Sequence, residues 1–135
     1  MQSLLAQMTL ELFRLYPDMP EPSPLSNPLV LLASLDSQTM GCVALQALGK
    51  GSAEIKRLFV LPEFRRQGVA RQLIQALEQH ALLQGVMYMR VETGNKQSGA
   101  IALYQEMAYQ PIAPFGAYIG NPVSRCFEKQ LPGQQ

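Results

Sequence analysis

The segment from Val60 to Leu73 constrains this chain most, because it reads as a strand end, a short loop with one glycine and a helix start. The first amides of a helix have no intrahelical partners, and the helix dipole adds partial positive charge at the same end. Gly68 lets a ligand approach the backbone closely, and Arg65, Arg66 and Arg71 add full charges. The segment therefore predicts a cradle for a pyrophosphate group.

Two better-known phosphate-binding patterns do not match this loop. The P-loop pattern, in which four residues separate a glycine from Gly-Lys-Ser/Thr, is absent, which excludes a nucleotide hydrolase of that type. The three-glycine pattern of dinucleotide folds is absent too, and the strand before the loop belongs to a hairpin series. A dinucleotide fold is therefore not expected.

Hydrophobic periodicity and turn residues predict a chain in which strands and helices alternate. An amphipathic helix is expected over residues 3–16, with Leu5, Met8, Leu12 and Leu15 on one face, followed by a proline-rich loop over 17–28. Leu29–Leu35 is continuously apolar, as in a strand covered on both faces. The remaining expected elements are strands at Met40–Leu48, Ala53–Val60, Met87–Thr93, Tyr109–Ile112 and Ser124–Gln130, and helices at Gly68–Gln84, closed by Gly85, and at Gln97–Met107, capped by Ser98. Lys56 and Arg57 break the alternation of the third strand, as a bulge would.

Composition narrows the functional classes. A chain of 135 residues with 47% apolar residues fits one domain spanning residues 1–135. The net charge is +1 with no basic block or acidic tail, which argues against nucleic acid as a partner. The start lacks the basic residues of a signal peptide and the apolar runs are short, so no membrane partner and a cytoplasmic location are expected. Charged residues make up only 16%, which suits either an oligomer interface, such as a homodimer, or a glutamine-rich exterior.

Metal and cysteine chemistry are not expected. Cys42 and Cys126 are too few for a disulfide framework and read as small buried residues. His80 is the only histidine, so the chain lacks the ligands of a zinc site. It also falls within a helix pattern with no nucleophile elbow nearby, which excludes a Ser-His-Asp triad built on it.

Several stretches together resemble the GNAT superfamily of acyltransferases. Arg65-Arg66-Gln67-Gly68-Val69-Ala70 is similar to its coenzyme A loop, Gln/Arg-x-x-Gly-x-Gly/Ala. The stretch from Ala53 to Pro62 resembles its central strand, Ala100 to Tyr104 its second helix motif, and Cys126 to Lys129 the final strand of a bacterial subgroup. The resemblance covers about residues 40–130, and the first helix more loosely. It implies an α/β (α+β) GNAT fold, a mixed and mostly antiparallel sheet flanked by helices.

The chain departs from the family pattern at three places. The usual Gly-Phe after the second helix is Ala108-Tyr109, and the usual asparagine before that helix is Gln97. The family also has a strand before its first helix, whereas this sequence begins almost inside the helix. Either the fold lacks that strand, a partner supplies it, or the start of the helix is assigned wrongly.

The resemblance implies acetyl-coenzyme A as cosubstrate, with no metal. The backbone of Leu58 and Val60 would contact the pantetheine arm, and an amide at Phe59 or Val60 would polarise the thioester carbonyl. The loop from Arg65 through Gln67, Gly68, Val69 and Ala70 to Arg71 would hold the pyrophosphate, and Gln97 would lie toward the pantetheine end.

Two residues match catalytic positions of the family. Glu54 lies eleven residues before Arg65, the spacing of the general-base glutamate in the histone-acetyltransferase branch. The alternative for Glu54 is a surface partner for Lys56 or Arg57. Tyr104 matches the tyrosine that protonates the departing thiolate, and its alternative is a tyrosine at the edge of the core. The loop from Ala113 to Val123, with Phe115 and Tyr118, either shapes the acceptor pocket or is packed covering.

The sequence thus predicts a transferase, an N-acetyltransferase that passes acetyl from acetyl-coenzyme A to a primary amine by direct attack in a ternary complex. The acceptor would be a small molecule or a peptide. The alternative is a module with the same fold that binds acyl-coenzyme A without catalysis. A dimer completed by strand exchange is compatible with both.

Overall fold

A computed structural model describes residues 4–16 and 25–132. Its helices are α1 (Leu4–Leu15), α2 (Val69–Leu83) and α3 (Ser98–Glu106). Its strands are β1 (Leu29–Leu35), β2 (Gln38–Gly49), β3 (Ser52–Val60), β4 (Tyr88–Gly94), β5 (Gln110–Ile112) and β6 (Ser124–Gln130). The expected order of helices and strands is confirmed to within about two residues at each end. Residues 17–24 of the expected proline-rich loop lie outside the described residues.

The strands described here form one six-stranded sheet in the order β1-β2-β3-β4-β6-β5. The β3–β4 pair is parallel, whereas the pairs β1–β2, β4–β6 and β5–β6 are antiparallel. The parallel register runs from Ser52 opposite Tyr88 to Ile55 opposite Val91. Just past its end, Arg57 adopts a φ of 56°, in the left-handed region, where the sequence predicts an irregularity in the strand.

The chain divides into two compact units. The first comprises Met1–Gln46 and Lys56–Leu77, and the second comprises Ala47–Ile55 and Glu78–Gln135. In the first, Met8, Cys42, Phe59 and Leu61 form a buried cluster against which Phe64 packs. In the second, the most deeply buried side chains include Met89, Val91 and Tyr109.

Two local predictions are wrong. The apolar strand β1 is not covered on both faces, because its Val30, Leu32 and Leu35 are 54%, 62% and 58% exposed. An apolar run indicates a strand but does not reveal what packs on each face of it. The predicted cap at Ser98 also fails, because Ser98 is the first helical residue and Gln97 occupies the cap position without a side-chain cap hydrogen bond.

The buried face predicted for α2 is confirmed. Val69, Leu73, Ile74, Leu77 and Ala81 are all buried, as expected for an amphipathic helix. Gly85 follows the helix with a φ of 83°, and its amide donates to Leu82 O at 3.0 Å. The helix therefore ends with the glycine cap expected from the sequence.

Candidate active site

The candidate cofactor loop lies in the first unit, between β3 and α2. A single 3-10 turn at Pro62–Phe64 leads into it, and the Arg65 amide donates to Pro62 O at 3.3 Å. The Gln72 amide donates to Gly68 O at 3.0 Å, which opens the hydrogen-bond ladder of α2. The amides just before Gln72 are those that a helix start leaves without intrahelical partners. The loop therefore supplies the backbone donors that the sequence predicts there.

Gly68 fixes the turn from the loop into the helix. Its φ of 81° lies in the left-handed region, which residues with a side chain adopt only at a cost. A Cβ at this position would meet no atom within 4 Å, and the residue is exposed. The backbone is therefore open to an approaching group, which fits a site for a phosphate-bearing cofactor.

The two arginines at the start of the loop have different environments. Arg65 Nη2 lies 2.6 Å from Glu11 Oε2, its Nε donates to Val60 O at 2.8 Å, and its guanidinium sits 5.3 Å from the centre of the Phe59 ring. Arg65 thus holds the loop against β3 and α1, and its charge is paired. Arg66 is exposed with a φ of 64°.

The other predicted cofactor contacts in this unit are mainly backbone positions. Phe59 and Val60 are each 8% exposed, and Leu58 is half-buried. Gln67 Nε2 donates to Glu63 O at 3.3 Å within the loop, and Val69 is buried. With these side chains turned to internal contacts, it is the amides and carbonyls that remain for a ligand.

The candidate base, Glu54, lies in the second unit. It is 6% exposed and is the only charged side chain that is buried among residues 4–16 and 25–132. Its register partner on β4 is Arg90, which pairs in turn with Glu128 on β6, where Arg90 Nε lies 2.8 Å from Glu128 Oε2. Tyr118 Oη donates to Glu54 Oε2 at 2.5 Å. Glu54 is therefore a buried hydrogen-bond acceptor and does not lie on the sheet surface.

Tyr118 lies in the aromatic loop, defined here as residues 113–123 between β5 and β6. Its ring meets Phe115 edge-on with 5.3 Å between centroids, and the Arg90 guanidinium lies 5.4 Å from the Phe115 ring centre. Burial, followed by the hydrogen bond to Glu54 and the charge of Glu54, raises the pKa of the Tyr118 phenol. The loop therefore covers the polar strand positions around Glu54 with a phenol that stays protonated.

The candidate acid, Tyr104, lies on α3 in the same unit. It is 3% exposed, and its ring centre lies 5.7 Å from that of Tyr109 and 6.3 Å from that of Phe127. Burial and, to a smaller extent, the charge of Glu92 raise the pKa of its phenol. The charge of Glu92 also raises the pKa of Tyr118, so both phenols lie within the electrostatic reach of one carboxylate. Gln97 occupies the cap position of the helix that carries Tyr104.

The sequence does not single out Glu92 or the partnership of Tyr118 with Glu54. Glu92 accepts a hydrogen bond from Ser124 Oγ at 2.7 Å and lies opposite Cys126 in the sheet register. Both cysteines are buried and free, and burial raises the pKa of the Cys126 thiol. The only sequence signal for Glu92 is the alternation of side chains along β4. Glu92 lies two residues after Arg90 and therefore on the same face of the strand.

A second pair of tyrosine and glutamate lies elsewhere in this unit. Tyr109 Oη donates to Glu78 Oε2 at 2.7 Å, and Lys129 Nζ lies 3.1 Å from both carboxylate oxygens of Glu78. The Lys129 ammonium also lies 5.5 Å from the centre of the Tyr109 ring. The negative charge of Glu78 is therefore balanced by the Lys129 ammonium group.

An open cavity of about 580 Å³ lies beside the aromatic loop in the second unit. Its walls come from α3, β5, β6 and the loop, and include Ile101, Ile112, Pro114, Pro122 and Phe127. The lining is mainly apolar, with Gln105, Asn121, Ser124 and Arg125 as polar members. Both predicted roles of the loop, shaping a pocket and covering the strands, are compatible with this arrangement.

The described residues contain no cluster of three or more histidine, cysteine or acidic side chains arranged to hold a metal ion. Of the helices in residues 4–16 and 25–132, none has the length and apolar character needed to cross a membrane.

The profile of the acetyltransferase (GNAT) family matches residues 5–109. The chain belongs to the GNAT acetyltransferase family. Among curated relatives, it is 35% identical to an IAA acetyltransferase of Azospirillum brasilense over 75% of this chain and 67% of that protein. It is 33% identical to the uncharacterized N-acetyltransferase YsnE of Bacillus subtilis over 67% of this chain and 62% of that protein.

Solved structures agree with membership of the GNAT family. A Klebsiella pneumoniae protein assigned as an acyl-CoA N-acyltransferase has a TM-score of 0.80 and 29% identity, with 96% of this chain and 91% of that chain covered. A Bacillus subtilis acetyltransferase solved in complex with CoA has a TM-score of 0.70 at 17% identity, over 90% and 84% of the two chains, and supports the fold alone. The GNAT fold expected from the sequence is therefore confirmed.

Proposed function

We propose that this GNAT protein transfers acetyl from acetyl-CoA to a primary amine of a small molecule or peptide, by direct attack within a ternary complex. Family membership and the helix-start loop support the cosubstrate. The observation that carries the chemistry is Glu54, a buried carboxylate that accepts a hydrogen bond from Tyr118 at 2.5 Å. A carboxylate held as an acceptor in a buried position is suited to take a proton from an amine.

Binding of the cosubstrate falls to the cofactor loop and the adjoining part of β3. We assign the pyrophosphate to the amides from Arg66 to Ala70, with Arg66 and Arg71 adding charge. We assign the pantetheine arm to the backbone of Leu58 and Val60 and to Gln97, and carbonyl polarisation to an amide at Phe59 or Val60. Acetyl-CoA, when bound, supplies an activated acetyl thioester. Arg65 contributes by holding the loop against Glu11 and Val60.

Proton transfer is assigned to Glu54 and Tyr104. An amine is mostly protonated near neutral pH, so Glu54 would accept the proton that the amine must lose before it attacks. Tyr104 would give its phenolic proton to the departing sulfur as the carbon–sulfur bond breaks. Because its pKa is raised, Tyr104 holds that proton at neutral pH and above. Two protons leave the nitrogen in all, the ammonium proton that Glu54 would accept before attack and a second one as the amide forms. One proton reaches the thiol by way of Tyr104 and the other is released to solvent, so the transfer balances.

We further infer that the reaction takes place in the cytoplasm. Cys42 and Cys126 are both free thiols, and reduced thiols are typical of that compartment.

Calorimetric titration with CoA tests the cofactor assignment. We expect micromolar binding by the wild type and its loss in an Arg66→Glu/Gly68→Asp double variant, because the variant places negative charge where the pyrophosphate should lie. A folded wild type that does not bind CoA would refute the assignment.

Release of CoA thiol from acetyl-CoA over a panel of primary amines tests the transfer itself. Release that depends on an amine is the expected result. CoA binding without release for any amine would instead support a non-catalytic module with this fold.

A further inference from the structure

Glu54 and Tyr118 are 64 residues apart in the sequence but share a short hydrogen bond. Glu54 is the one charged side chain buried in residues 4–16 and 25–132, and an ionised carboxylate in such a place needs hydrogen-bond donors. As a hydrogen-bond donor to a carboxylate that acts as a base, a phenol is better suited than an ammonium group. The phenol stabilises the carboxylate without cancelling its charge.

The aromatic loop holds Tyr118 over the strands that carry Glu54. Phe115 contacts Tyr118 edge-on, and Arg90, the register partner of Glu54, lies under the Phe115 ring. The loop also has internal ties: the Val123 amide donates to Asn121 Oδ1 at 3.0 Å, and the Tyr118 amide donates to Phe115 O at 3.0 Å. The position of the phenol is therefore set by packing on a polar strand position and by local hydrogen bonds.

We infer that Tyr118 is a positioning residue that orients the Glu54 carboxylate for proton acceptance, a role that rests on the proposed function of Glu54 as the base. Tyr118 contributes no proton of its own to the reaction. Its burial next to Glu54 raises the pKa of its phenol, so the hydrogen bond donor persists through the pH range of an assay. The loop over residues 113–123 thereby becomes part of the catalytic apparatus in addition to covering the strands.

The chain contains a matched control for this inference. Tyr109→Phe removes one phenolic hydroxyl that donates to a carboxylate, as Tyr118→Phe does, but it does so at Glu78. Both changes keep the aromatic ring and its contacts. Thermal unfolding and calorimetric CoA affinity of each variant report whether the fold and the cofactor site are intact.

The test is a double-mutant cycle on kcat and KM with Tyr118→Phe, Glu54→Gln and the combined variant. We expect Tyr118→Phe to lower kcat about tenfold, the worth of one hydrogen bond to a charged group, with the KM for acetyl-CoA unchanged. In the Glu54→Gln background the same change should lower kcat no further, because the group that it orients is gone. Tyr109→Phe should keep the wild-type kcat.

Other outcomes separate the failure of this inference from that of the proposed function. Multiplicative losses in the cycle, a full kcat in Tyr118→Phe, or an equal loss in Tyr109→Phe would overturn the positioning role alone. A full kcat in Glu54→Gln would remove the base that Tyr118 is said to orient and so overturn both that assignment and this one. A wild type that transfers acetyl to no amine would refute the proposed function and this inference with it.

Discussion

The second unit contains the same interaction twice, a tyrosine that donates to a glutamate, in two different surroundings. At Glu78 the carboxylate also contacts Lys129 at 3.1 Å, so its charge is balanced. At Glu54 the nearby groups that act on the Tyr118 phenol include a second carboxylate, Glu92, and the Cys126 thiol. The first hydrogen bond thus belongs to a carboxylate that is paired with a cation on β6, whereas the second belongs to a carboxylate that is buried on β3 and accepts from the Tyr118 phenol. We interpret the first as structural and the second as catalytic.

The largest expected effect separates the two glutamates. Glu54→Gln should lower kcat by about 10²–10⁴-fold with CoA affinity unchanged, because the amide cannot take the proton of the amine. Glu78→Gln should keep kcat but lower the free energy of unfolding by about 1–3 kcal/mol, because it leaves the Lys129 ammonium, 21% exposed, without its counter-charge. Steady-state kinetics and denaturant unfolding of both variants measure this. A stability loss confined to Glu54→Gln, with full turnover, would reverse the assignment.

Tyr104 extends the comparison, because its ring contacts Tyr109 and the charge of Glu92 raises the pKa of its phenol. Tyr104→Phe keeps the ring contacts with Tyr109 and Phe127 but removes the proposed proton donor. We expect kcat to fall about 10–100-fold with no change in CoA affinity. The measurement is kcat with acceptors whose attack is fast enough for thiol departure to limit turnover. If Tyr109→Phe lowers kcat equally, the loss reflects packing and Tyr104 is not the acid.

Two glycines allow the same kind of comparison at the cofactor loop. Gly68 and Gly85 have φ values of 81° and 83°, and a Cβ at either would meet no atom within 4 Å. Alanine should therefore cost each about the same 1–2 kcal/mol in the free energy of unfolding. Only Gly68→Ala should weaken CoA binding, by about tenfold or more, because its methyl group would stand where the pyrophosphate approaches the amides. Equal CoA affinities in the two variants would mean that the loop is simply a helix start.

The smallest effect is on stability at high pH. The pKa values of Tyr104, Tyr109 and Tyr118 are raised above the ordinary 10.0, chiefly by burial. Their stabilising effect is complete below pH 10 and is lost as the pH rises further, because only the unfolded chain then ionises these phenols. Above pH 10, the free energy of unfolding should fall less steeply with pH in Tyr109→Phe than in the wild type. The difference in slope should be about 1.4 kcal/mol per pH unit. Denaturant unfolding from pH 9 to pH 11 would measure it, and a slope unchanged by the substitution would show that the Tyr109 phenol ionises in the folded protein.

The sequence predicts the elements and the glycines at the two ends of α2 well because their signals are local. The periodic apolar face of α2, the glycine that opens it and the glycine that ends it are all read within one segment. The double covering predicted for β1 is wrong because coverage depends on partners elsewhere in the chain. The helix cap at Ser98 is predicted from residue type alone and is also wrong. In the structure the helix begins at Ser98, and Gln97 occupies the cap position.

The site was predictable only where a residue matches a family motif. Glu54 and Tyr104 were found in that way and stay predictions. The hydrogen bond between Tyr118 and Glu54 spans 64 residues, and the pairing of Arg65 with Glu11 spans 54, so neither leaves a pattern in the sequence. The three arginines at the helix start therefore look equivalent in the sequence, whereas in the structure Arg65 pairs with Glu11 on α1.

The central claim is that the Glu54 carboxylate takes the proton of the amine, and chemical rescue tests it most directly. Glu54→Ala removes the carboxylate and leaves a small space that formate could enter. We expect turnover to fall to the level of Glu54→Gln and to recover in part as formate is added, with no effect of formate on Glu78→Ala. Wild-type turnover in Glu54→Ala, or an equal response to formate in Glu78→Ala, would contradict the claim.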